Sequence, residues 1–136
     1  MFGTKQWLVL AAVVVVSVFA GAQDKGIKSS NAWVQLPASG ATEAMAFVTV
    51  ENAGMYEVNI TSATADASGK VDLREGGQAV AFISVPAYGR VDMSATGVHL
   101  MLIGLKRTLK AGDTVMLTLA TDMDVTLNVA ASVRAQ

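Results

Sequence analysis

Met45-Ala46-Phe47-Val48-Thr49-Val50 sets its side chains out in a period of two, the repeat of a half-buried β-strand. The same short alternation recurs over Val58 to Ala63, Val80 to Val85 and Val115 to Leu119. Between these runs stand Pro37 to Gly40, Asn52-Ala53-Gly54, Asp66 to Gly69, Gly76-Gly77, Ala111-Gly112-Asp113 and Asp122-Met123-Asp124, whose residue types favour tight turns. No segment longer than about ten residues holds the 3.6-residue repeat of an amphipathic helix. The spacing predicts eight or nine strands, near 27–36, 44–52, 56–64, 70–75, 79–84, 89–94, 98–103, 114–120 and 124–132. Many short strands separated by regular turns give an all-β fold, an antiparallel sandwich or barrel.

Upstream of the first strand, Lys5 precedes an apolar run from Trp7 to Phe19 and then the small residues Ala20, Gly21 and Ala22. A basic residue, a short apolar stretch and an Ala-x-Ala pattern make a signal-peptide layout, and the run falls short of the ~20 residues that a spanning helix needs. Residues 1–22 are therefore expected to be a signal peptide cleaved after Ala22, with an uncleaved membrane anchor as the alternative. Either way the rest, 23–136, is expected to fold as one domain in the periplasm or on the extracellular side of the cell envelope. That length suffices for one hydrophobic core and not for two.

The 136 residues carry a formal net charge of −1 with no run of like charges, which argues against a nucleic-acid surface, since such a surface needs clustered Lys and Arg. There is no Cys, so thiol chemistry and thiolate metal sites are excluded, and an exported domain must rely on packing.

His99 is the single histidine, in Gly97-Val98-His99-Leu100-Met101-Leu102. On a strand, His99 and Met101 share one face while Val98, Leu100 and Leu102 share the other, with the two donors about 7 Å apart at the backbone. An imidazole nitrogen beside a thioether sulfur suits a soft ion, Cu(I) before Zn(II), Mg(II) or Ca(II). Met45 and Met116 read as core filler, Met55 and Met123 fall at turns, and Met93 approaches His99 if the turn from Ser94 to Gly97 folds the chain back. Asp72, Arg74 and Glu75 read as the solvated side of a strand entering the Gly76-Gly77 turn, and Lys106, Arg107 and Lys110 as a loop surface. No nucleophile stands beside a general base, so the chain is expected not to be an enzyme.

Several longer stretches resemble the periplasmic copper chaperones called PCu(A)C. They are Asn31 to Val34, Ala46 to Gly54, Gly69 to Leu73, Val85 to Asp92, Gly97 to Lys106 and Leu109 to Val115. The resemblance implies a cupredoxin-like antiparallel β-sandwich of Greek-key type. It also implies one Cu(I) held by two histidines and two methionines and delivered toward the copper centre of a cytochrome oxidase subunit, or to another copper carrier. The closing His-x-Met of that motif falls on His99 and Met101. The other half does not carry over: Arg74 stands where the family has histidine, Gly77 takes the place of the first methionine, and only Glu75 and Gly76 separate them. The ligand-bearing hairpin is thus cut short. Two readings follow, a Cu(I)-binding chaperone-like protein using His99 and Met101, and a metal-free sandwich serving as an interaction or scaffolding module of the envelope.

Overall fold

Alternating side chains build ten strands among residues 26–135, the part of the chain that the computed structural model describes. They are β1 (Ile27–Gln35), β2 (Glu43–Asn52), β3 (Val58–Ala65), β4 (Ser68–Glu75), β5 (Gln78–Ala79), β6 (Ile83–Val85), β7 (Gly89–Asp92), β8 (Val98–Leu105), β9 (Thr114–Thr121) and β10 (Thr126–Arg134). The expected signal peptide, 1–22, lies outside the described residues.

The strands hydrogen-bond into one sheet in the order β5-β4-β8-β2-β1-β10-β9-β3-β6, with β7 pairing a second stretch of β2. Consecutive β3 and β4 are far apart in this order, yet only Asp66-Ala67 joins them and they touch. The sheet must therefore curl until its two ends face one another, and buried Ala67 fills the corner. The all-β antiparallel expectation holds, with one parallel exception: β1 and β10 pair side by side over Trp33–Gln35 and Ser132–Arg134. Turn chemistry cannot reveal such a pair, because no turn joins its strands.

Curling gives every strand an inside and an outside. β10 alternates strictly, with Leu127, Val129, Ala131 and Val133 buried and their neighbours exposed. Val115, Leu117 and Leu119 do the same on β9, Ala44, Ala46, Val48 and Val50 on β2, and Leu100 and Leu102 on β8. Each fully buried Leu or Val side chain contributes about 1.5–3 kcal/mol of transfer free energy, and this interior replaces the disulfides the chain lacks.

Two expectations are corrected. The strand expected over 79–84 is two pieces on opposite ends of the sheet, since β5 pairs with β4 and β6 with β3. The segment between them, Val80 to Phe82, spans the seam where the sheet does not close. Met116 is not core filler: the period that buries Val115 and Leu117 turns it outward, leaving it 43% exposed.

Candidate metal-binding face

β8 carries the two donors named from the sequence. Leu100 and Leu102 are fully buried inside the curled sheet, so His99 and Met101 stand together on its outer face. The register supplies their neighbours. On β4, Arg74 lies opposite His99 and Asp72 opposite Met101. On β2, Met45 lies opposite Met101. Continuing the antiparallel count places Phe47 beside His99, and the two ring centroids are 6.2 Å apart. Two rows therefore cross the outer face, Met45–Met101–Asp72 and Phe47–His99–Arg74.

His99 is only 2% exposed, flanked by Phe47 on one side and Arg74 on the other. Phe47 is in turn covered by Trp33, with ring centroids 4.8 Å apart, and the Arg134 guanidinium stacks 4.4 Å from the Trp33 ring centre. An aromatic ring and a guanidinium-bearing side chain thus flank the imidazole within its own row.

The ring is held by its own strand's approach turn. Ser94 N–H donates to the Val98 carbonyl at 3.0 Å and Gly97 N–H to the Ser94 carbonyl at 3.2 Å, which directs the Gly97 carbonyl at His99 Nδ1, 3.1 Å away. A carbonyl only accepts, so in the neutral imidazole Nδ1 carries the proton and Nε2 keeps its lone pair. Nε2 has no hydrogen-bond partner among the described residues. Metal-ligating histidines are oriented in the same manner, by a carbonyl on the ring nitrogen that does not bind.

Met101 is half-buried and accessible. With Met45 it lines a shallow cavity of about 210 Å³, whose walls include Gln35, Pro37 and Glu43. Met93 does not join them. Asp92 faces outward, where Thr49 Oγ1 donates to its Oδ1 at 2.9 Å, so the next residue turns in and Met93 is buried in the core. The turn from Ser94 to Gly97 does fold back, but it leaves Met93 on the opposite side of the sheet from His99. Met55 and Met123 are exposed at turns away from this face.

Of the two positions at which the chain departs from the resembled motif, Arg74 faces His99 directly, and its Nη2 donates to Asp72 Oδ2 at 3.3 Å. Its Nε–H is buried without a partner. Gly77 lies in the tight β4–β5 turn, its α-carbon facing open space. Asp72 and Arg74 share the outer face as the strand period requires, but they are half-buried rather than fully solvated. Lys106, Arg107 and Lys110 are exposed loop residues, as read from the sequence. Among the described residues no three His, Asp or Glu side chains cluster as a hard cation would need.

Met45 is the residue that sequence reasoning misplaced. It is half-buried on the outer face, not inside the core. A signal was available: Met45 shares parity with Thr49 and Glu51, whereas the aliphatic set is Ala44, Ala46, Val48 and Val50. A further depression, of about 520 Å³, lies elsewhere, between Glu51–Ala53 and Tyr88–Arg90, and its lining offers no sulfur or imidazole donor.

Comparison with known proteins agrees with this architecture. The copper-bound PCuAC domain of PmoF2 superposes with a TM-score of 0.75 at 22% identity, over 82% of this chain and 94% of that one. The Cu(I) form of DR1885 from Deinococcus radiodurans matches with a TM-score of 0.72 at 26% identity, over 89% of this chain and 86% of its own. In sequence, a Leifsonia xyli subsp. xyli (strain CTCB07) protein described as "Putative lipoprotein Lxx21020" is 32% identical over 108 residues, 73% of this chain. The aligned region spans 64% of that relative's length. The model of the LpqE-like family, described as "Putative lipoprotein LpqE-like", matches residues 27–133, all but the margins of the ten-stranded sheet. The chain belongs to the LpqE-like family, and its domain is of the PCuAC type.

Proposed function

We propose that this chain is a non-enzymatic, copper-chaperone-like protein of the cell envelope, which carries Cu(I) on His99 and Met101. The observation that carries the reading is the hydrogen bond from His99 Nδ1 to the Gly97 carbonyl, which leaves the Nε2 lone pair available on the face that bears Met101. A neutral nitrogen and a thioether form a soft donor set that favours Cu(I) over harder divalent ions. The copper-bound PmoF2 domain and the Cu(I) form of DR1885 support the same cargo, because they share the fold.

Release would proceed by ligand exchange. A partner's sulfur or nitrogen adds to the ion as the accessible Met101 thioether leaves, while buried His99 holds on until last. A cytochrome oxidase subunit or a further copper carrier is the acceptor in this reading, and export by the residue 1–22 leader puts the protein in the right compartment. The lipoprotein descriptions of its relatives support an envelope location. Titration of the protein with Cu(I) against a competing chelator tests the reading. His99→Ala and Met101→Ala should each weaken binding by at least tenfold; unchanged affinity in both removes metal delivery.

The second reading, a metal-free interaction module, is favoured by one observation: a permanent cation, Arg74, sits in register opposite the imidazole. It predicts no rise in melting temperature on adding Cu(I), whereas a bound ion would stabilise the fold by mass action.

A further inference from the structure

We infer that Met45 is the third donor of the copper site, replacing from β2 what the shortened β4–β5 hairpin no longer supplies. The inference rests on the Cu(I) reading above and names a residue outside the His-x-Met pair. Met45 and Met101 are direct partners in the β2–β8 register. Directly opposed residues on one face hold their Cβ atoms about 4.5–5.5 Å apart, and a thioether has three rotatable bonds with which to close that gap. Both side chains are half-buried and both line the same cavity, so the two residues border one opening. His99 is the diagonal neighbour of Met45, about 7–8 Å away at the backbone, which is within reach of a long side chain.

Charge selects the same side of β8. Arg74 and its partner Asp72 lie on β4, while Met45 lies on β2, with β8 between them. An ion drawn toward Met45 moves away from the guanidinium by a good part of the ~4.8 Å strand spacing. Glu43, on the wall of the same cavity, adds a carboxylate where an incoming cation would pass. The other methionines among the described residues are placed elsewhere: Met93 is inside the core, and Met55, Met116 and Met123 are exposed on other parts of the surface. One nitrogen and two thioethers make a neutral, soft, three-donor set suited to Cu(I).

The test uses Met45→Leu, which keeps the side-chain volume and removes only the sulfur, with Met116→Leu as the control. Cu(I) affinity is read by chelator competition and the number of sulfur neighbours by copper-edge X-ray absorption. Thermal melting of the metal-free proteins checks the fold. The expected result is at least a tenfold loss of affinity and a fall from two sulfur neighbours to one in Met45→Leu, with no change in Met116→Leu. Unchanged affinity and sulfur count in Met45→Leu, with binding still lost in Met101→Leu, overturns the role of Met45 and leaves the Cu(I) reading standing. Failure of the unsubstituted protein to bind Cu(I) at all overturns both.

Discussion

Arg74 and His99 are directly opposed across the β4–β8 pair, so a guanidinium and an imidazole share one row of the outer face. A fixed positive charge about 5–6 Å from a bound cation costs on the order of 1–3 kcal/mol at a half-buried site. Arg74→Ala should therefore tighten Cu(I) binding by about tenfold, and Arg74→His by more, because a second imidazole then faces the first. Chelator competition on the two variants checks this. If Arg74→His binds no better than Arg74→Ala, the residue at 74 does not reach the ion.

Neighbouring residues of β9 should respond in opposite ways to truncation. Leu117 is fully buried and Met116 is 43% exposed. Leu117→Ala should cost about 2–5 kcal/mol through lost burial and an unfilled cavity, while Met116→Ala stays within about 0.5 kcal/mol. Urea denaturation of both variants measures the contrast, and similar losses would mean that the strand's inside and outside are misassigned.

Acid stability should depend on Asp122. Its carboxyl is held below the ordinary 3.8, chiefly by the Asn59 backbone N–H donating to Oδ1 and also by the Asn59 side-chain amide donating to Oδ2. A depressed pKa stabilises the folded state above the ordinary value, and that increment is lost as pH falls through the lowered one. Asp122→Asn should be less stable than the parent near pH 6, with the gap closing as the pH falls below 3.8 and through the lowered value. Denaturation midpoints from pH 2 to 7 provide the measurement; a gap that is constant across the range would remove the electrostatic origin.

Gly104 interrupts β8 with φ at +73°, and both its own N–H and that of Leu105 donate to the Thr42 carbonyl. A side chain there is strained whatever space surrounds it. Gly104→Ala should lower stability by about 1 kcal/mol, read as a drop in denaturation midpoint with an unchanged slope.

Much of this molecule was legible in the residue pattern, and what was not has identifiable causes. Local period and turn chemistry placed nearly every strand, because each inward-facing aliphatic has only one way to be buried. They failed at Val80 to Phe82, where apolar residues span the seam between sheet ends and imitate a strand. They could not show that β1 lies parallel to β10, a pairing between segments nearly a hundred residues apart in the chain. His99 and Met101 were found on one face because two residues on one strand need no tertiary knowledge. Met45 was misplaced because its position opposite Met101 depends on which strand lies next to β8. Phe47 also disguised the polarity of its face: it is buried on the outer side beneath Trp33, so β2 carries apolar side chains in both directions.

The parallel alignment of the terminal strands has a mechanical corollary. The Gly26 carbonyl is pinned by the Ala53 N–H at one tip of β2, whereas Met45 lies eight residues along the same strand, roughly 25 Å away. β1 is thus entered at the pole remote from the two thioethers. A molecule docking over Met45 and Met101 would therefore meet the far end of the sheet from the one where Gly26 leads into β1.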